Sequence, residues 1–195
     1  MLERSCIPCY RGGDNALGGA NQQERLSPTE RLKYFLAGFI EGEGALTVSI
    51  KEHPGCFGYY VDPEFFVYQH VSGRALLETL RKIFHTGRIY PKPGNPKVLV
   101  YAIADRRSLK EKVIPFFERY ITPYSCKRET YERFREILAM MDRKEHLTPT
   151  GLVRIVEKAY AMNPNGKGRK RLRPLQEVCE RILRGHTPDI PPQEG

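Results

Sequence analysis

The chain has 195 residues, 40% of them hydrophobic, and carries a formal net charge of +9 with a pI near 9.4. That length suits one well-buried core with elaborations rather than two independent domains. The basic excess calls for an anionic partner; nucleic acid and an anionic membrane surface both match the charge, but no apolar run approaches the roughly 18 to 20 residues that span a bilayer, and no membrane partner is expected.

Residues 1–26 are rich in Gly, Asn, Gln and Arg and lack apolar periodicity, so they read as a poorly ordered leader. Ser27-Pro28-Thr29-Glu30 joins an N-cap, a proline at the first helical position and a glutamate three residues after the cap, which predicts a helix running to about Gly42. Leu46, Val48 and Ile50 then alternate with Thr47, Ser49 and Lys51, the two-residue period of a half-buried strand. After Pro54-Gly55, an extended run from Gly58 to about His70 completes an antiparallel hairpin, with Pro63 marking a bulge or an edge. Ser72 is a candidate cap for a helix that spaces Leu76, Leu77, Leu80, Ile83 and Phe84 helically.

A second hairpin has arms at about 87–92 and 97–104, joined by the turn-rich Pro93-Gly94-Asn95-Pro96. On its second arm Val98, Val100 and Ala102 compete with Leu99, Tyr101 and Ile103 for the core face, and the pattern leaves both open. Further helices are predicted at 106–119, interrupted by Pro115, and at 127–142, 149–162 and 174–184. Five cysteines are scattered at 6, 9, 56, 126 and 179; the odd number argues against a complete disulfide framework and suits a reducing cytoplasm or organellar matrix rather than secretion. Cys6 and Cys9 alone have metal or redox spacing, and with the nearest histidine at His53 they read as two thiols in the leader.

The order of elements predicts an α+β fold, αββαββα, in which an antiparallel four-stranded sheet carries helices on one face. The core should span 27–142, followed by a helical basic extension at 143–185 and a flexible tail at 186–195. The uncovered sheet face would hold Thr47, Ser49, Lys51, Arg88, Tyr90 and Lys92, hydrogen-bonding and cationic chemistry that can lie along DNA, since β-ribbons enter the major groove. An ordinary solvated face is the alternative. Lys167, Arg169, Lys170 and Arg171, set among loop-forming residues, could neutralise phosphates without reading bases, or simply solubilise the chain.

The first helix shows two stripes. Leu32, Phe35, Leu36, Phe39 and Ile40 should meet the core, while Tyr34, Ala37, Gly38 and Glu41 form a mostly small-residue stripe suited to close contact with the same helix of a second chain. Glu41 and Glu43 fall at the helix C-terminus, where the macrodipole already presents partial negative charge and something must offset theirs. A divalent cation would do so, hard oxygen ligands of this kind suiting Mg²⁺; a solvated acidic turn is the alternative.

Leu36-Ala37-Gly38-Phe39-Ile40-Glu41-Gly42-Glu43-Gly44 resembles the signature for which the LAGLIDADG homing endonucleases are named, and the order of elements resembles that family from Ser27 to about Met141. The resemblance implies a saddle-shaped sheet and a single-motif protein that works as a homodimer, making a staggered break in a long double-stranded DNA target by metal-dependent hydrolysis. It implies that Glu43, at the eighth motif position, binds the metal with help from the Gly42 carbonyl, a glutamate standing where aspartate is more familiar. Glu41 is then structural at the helix interface. It further implies a water-positioning residue near the end of the second strand, Gln69 with His70 as its alternative. A basic residue before the third long helix should face the reacting water or phosphate, and Lys127, beside Arg128, occupies that position; either cation could instead be a helix-surface charge. The stretch from Glu145 to Arg171 resembles the C-terminal region of endonucleases encoded in group I introns of ribosomal RNA genes, which bears on host context only; host intron RNA would be a partner under a maturase reading. An RNA maturase and a non-catalytic DNA-binding regulator remain as alternatives on the same scaffold.

Overall fold

The computed structural model describes residues 26–162 and 173–184. Helix α1 (Pro28–Glu43) starts as its sequence predicts, the Ser27 hydroxyl accepting the Glu30 N–H at 3.1 Å. It passes into strand β1 (Gly44–Glu52) with no linker. Gly44 makes this junction possible: its N–H donates to the Ile40 carbonyl, and a Cβ there would lie 2.5 Å from that same oxygen.

Strand β2 (Tyr59–His70), helix α2 (Arg74–Phe84), strand β3 (Arg88–Lys92) and strand β4 (Asn95–Ile103) complete an antiparallel sheet in the order β1-β2-β4-β3. Pro63 pairs with Val48 in unbroken register, and because β4 joins β2 only from Phe65 onward, the proline sits where β2 has one neighbour. The edge reading therefore holds and the bulge does not; the irregularity in the sheet falls at Pro91/Lys92 on β3. Ser72 is not the cap of α2. It belongs to a 3₁₀ turn, Val71–Gly73, entered from His70, and α2 begins after Gly73 without a side-chain cap.

Beyond the sheet, residues 106–121 form one helical segment, α3, in which Arg106–Ser108 and Ile114–Phe116 alternate with π turns at Leu109–Val113 and Phe117–Ile121. Pro115 does not interrupt it; the wider i→i+5 turns absorb the missing N–H and the ring that would clash in a regular α-helix. Helices α4 (Arg128–Asp142), α5 (Pro149–Ala161) and α6 (Leu175–Arg184) follow. Leu99, Tyr101 and Ile103 are the core-facing set on β4. Phe65 lies at the centre, fully buried and edge-on to the rings of Phe84, Tyr101 and Phe117. Leu152, Ile155, Val156, Val178 and Ile182 join the same hydrophobic cluster, so the helices beyond residue 142 pack as part of one core.

Candidate active site

The C-terminus of α1 is held by the segment that enters α4. The Lys127 ammonium donates to the backbone carbonyl of Glu41 and reaches that of Gly44 at 3.4 Å, placing positive charge where the helix leaves its carbonyls without partners. The Glu41 carboxylate accepts the Ser125 hydroxyl at 2.8 Å and the Cys126 thiol at 3.2 Å. Donating to that carboxylate holds the Cys126 thiol's pKa above its ordinary range, the carboxylate's charge adding to the effect. The Ser125 hydroxyl in turn accepts the Lys127 N–H at 2.9 Å, so three consecutive residues form a clasp on the helix end.

Glu43, one turn edge away, is exposed and makes no ion pair or side-chain hydrogen bond among the described residues. Gly42 is exposed beside it. Lys127, rather than Arg128, is the cation at this end; Arg128 pairs with Glu132 at 3.0 Å along α4. Gln69 lies two residues beyond Val67, the partner of Gly44, so it reaches the same end of the sheet. Its side-chain oxygen accepts the His70 N–H at 2.8 Å, and its pairing with Leu99 puts it on the helix side of the sheet, with His70 on the other. No contact joins Gln69 to Glu43 or Lys127 among the described residues.

The stripes of α1 meet different partners from those expected. Glu30, Lys33, Tyr34 and Ala37 face α3: Tyr120 donates to Glu30 at 3.0 Å, and the rings of Tyr34 and Tyr120 meet edge-on at 5.3 Å. Ala37 is 3% exposed and Glu41 is engaged by its own chain, whereas Phe35, assigned to the core by its spacing, is 61% exposed. The outward stripe is therefore Phe35, Gly38 and Gly42, with Tyr34 at its margin. A Cβ at Gly38 would meet nothing within 4 Å, which leaves the backbone open to close approach.

All six sheet-face residues expected to be uncovered lie on one face. The register aligns Ala45, Phe66, Ala102 and Arg88 in one row, and Tyr68, Val100 and Tyr90 in the next. The Lys92 ammonium stands 5.0 Å from the Tyr68 ring and the Arg88 guanidinium 5.9 Å from that of Tyr90. Asp62, Glu64, Phe66 and Tyr68 also face outward, and Asp62 pairs with Lys51. These were overlooked in the sequence, although the alternation running outward from Val61, Phe65 and Val67 carries the signal. Ser125 and Cys126 have no such signal.

Lys167, Arg169, Lys170 and Arg171 lie outside the described residues, as do Cys6 and Cys9. Arg173 and Arg181, on either side of the start of α6, both donate to Glu52 at 2.8 Å, and their guanidiniums stand 5.9 and 5.0 Å from the ring of Tyr59. This double clamp ties the C-terminal helix to the β1–β2 hairpin. No helix among the described residues is long and apolar enough to cross a membrane.

The chain and its fold match known proteins. The family model for LAGLIDADG endonucleases matches residues 36–138, and the chain belongs to that family. It is 41% identical over 128 residues to the DNA endonuclease I-CeuI of Chlamydomonas moewusii, a match covering 64% of this chain and 59% of that protein. It is 32% identical over 155 residues to the homing endonuclease I-ApeII of Aeropyrum pernix, covering 77% of this chain and 90% of that one. Among solved structures, I-CeuI complexed with DNA superposes with a TM-score of 0.73 at 34% identity, over 81% of this chain and 79% of that one. The archaeal intron-encoded I-Vdi141I complexed with DNA gives 0.74 at 31% identity, over 80% of this chain and 98% of that one.

Proposed function

We propose that the chain is a site-specific homing endonuclease that makes a staggered double-strand break as a homodimer, with DNA lying along the uncovered sheet face. The observation that carries this is Glu43: an exposed, uncommitted carboxylate at the end of a helix whose outward stripe, Phe35, Gly38 and Gly42, is shaped to meet a copy of itself. An isologous contact through that stripe would bring two α1 ends and two Glu43 side chains together about a twofold axis.

The helix end suits a divalent cation, Mg²⁺ by the hardness of its ligands. Lys127 already shows that its carbonyl oxygens draw positive charge. Among the described residues no three His, Cys, Asp or Glu side chains of one chain group closely enough to hold a metal, so Glu43 and the Gly42 carbonyl would be joined by the second subunit or by phosphate. When bound, the cation supplies Lewis-acid stabilisation at the phosphate. Lys127 holds the helix end rigid and offers a cation to the phosphate or attacking water. Gln69 or His70 orients that water, and Thr47, Ser49, Lys51, Arg88, Tyr90 and Lys92 hold the duplex in register. Lys167, Arg169, Lys170 and Arg171 add sequence-independent phosphate contacts.

Incubating the protein with Mg²⁺ and intronless host-gene DNA tests the proposal. Specific double-strand cleavage, lost in Glu43→Gln while binding persists, is the expected result. Splicing assistance without cleavage would favour the maturase reading, and binding with neither activity would favour the regulator.

A further inference from the structure

Glu64 is out of place on a face that would receive a polyanion. The alternation of β2 turns it outward between β1 and the β4 end of the sheet, where Asp62 is compensated by Lys51. Glu64 is half-buried and makes no ion pair or hydrogen bond among the described residues, although the charges of Lys51 and Arg88 act on it from a distance. Directly opposite on β1, the Thr47 hydroxyl is buried and also without a partner among the described residues. Burial raises the carboxyl's pKa and the charge of Asp62 adds to this. Two neighbouring polar groups thus lack partners among the described residues.

A carboxylate accepts hydrogen bonds and donates none, so neither phosphate oxygens nor the acceptors of guanine and thymine can satisfy it. In the major groove the suitable donors are the amino groups of cytosine and adenine, and adenine sets its N7 acceptor beside that donor, where it repels a carboxylate. Resting on the reading that DNA lies on this face, we infer that Glu64 is a specificity-determining residue that accepts from a cytosine amino group, fixing a C·G pair at one position in each half-site.

The test selects randomised duplexes with the full-length protein, Glu64→Ala and Glu64→Gln, and sequences the bound pool, with Arg88→Ala and Lys92→Ala alongside. Wild type should enrich C·G at one position per half-site. Glu64→Ala should lose that preference by roughly tenfold or more, and Glu64→Gln should move it toward A·T, since glutamine matches adenine's donor and acceptor, other positions being unchanged. An unchanged profile in both Glu64 variants, or uniform tightening in Glu64→Ala, would overturn the inference. If Arg88→Ala and Lys92→Ala weaken binding while the Glu64 variants keep the wild-type profile, only the cytosine assignment fails. If none of the four variants alters binding or profile, DNA does not lie on this face and both readings fall. Melting temperatures within a few degrees of wild type confirm that the variants fold.

Discussion

The ammonium of Lys127 donates to the main-chain carbonyl of Glu41, two residues before Glu43 and in the last turn of the same helix. One side chain from the start of α4 thereby neutralises the end of α1 and also reaches the carbonyl of Gly44, the residue after Glu43. Lys127→Met should cost less than about 1 kcal/mol of stability, because the bond is exposed, yet lower the cleavage rate on the order of a hundredfold. Thermal melting and single-turnover cleavage would separate the two effects; a variant with wild-type turnover would reduce Lys127 to a helix cap.

The hydrogen bond that the Cys126 thiol donates to Glu41 raises its pKa. Between pH 8 and 9 it should therefore alkylate with iodoacetamide more slowly than a free thiol, despite being exposed. Glu41→Gln should lower its pKa toward the ordinary value, raise the thiolate fraction and speed the reaction severalfold. Peptide-resolved mass spectrometry follows Cys126 separately from the other cysteines. Equal rates in the two proteins would show that the contact does not persist in solution.

Phe35 contributes little to the core of its own chain, so Phe35→Lys should leave the circular dichroism spectrum intact and shift the proposed dimer to monomer in sedimentation. Cleavage should disappear with the dimer. Gly38→Leu should act in the same way by obstructing close approach of the backbones. A Phe35→Lys protein that stays dimeric and active would place the subunit contact elsewhere.

His146 has its Nδ1 atom buried without a hydrogen-bond partner among the described residues, and desolvation, reinforced by the nearby charge of Arg106, depresses its pKa. The folded state therefore favours the neutral ring. Stability is fully present above the unfolded value of about 6.5 and falls as the pH drops below it, down to the depressed folded value, because the unfolded chain binds the proton more readily. Urea titrations across pH 5 to 8 should show this slope, and His146→Gln should flatten it. A slope that His146→Gln leaves unchanged would assign the acid sensitivity to other groups.

Much of this was legible from the chain. Ser27 through Glu30 announced α1, and the alternation of Leu46, Val48 and Ile50 gave β1 and its faces, because these signals are local. What was hidden depended on distant partners. Periodicity showed that α1 has stripes but not which neighbour each would meet: Tyr120, ninety residues on by its hydrogen bond to Glu30, draws Ala37's side inward and turns Phe35 out. On β4 both alternating sets are apolar because both are buried, Leu99, Tyr101 and Ile103 by helices, Val100 and Ala102 by the flanking side chains of β2 and β3. At the site, Glu43 and Lys127 were singled out through family resemblance rather than periodicity, and the bonds of Lys127 to the Glu41 and Gly44 carbonyls set a cation at the acidic helix end.

The claim that each subunit contributes one Glu43 to the cutting of one strand is tested most directly by mixed dimers. Wild-type and Glu43→Gln chains carrying different affinity tags would be co-expressed, the heterodimer isolated, and a supercoiled plasmid bearing the intronless target site treated with it and Mg²⁺. The account predicts nicked circles with little linear product. Linear DNA formed at the wild-type rate would contradict it.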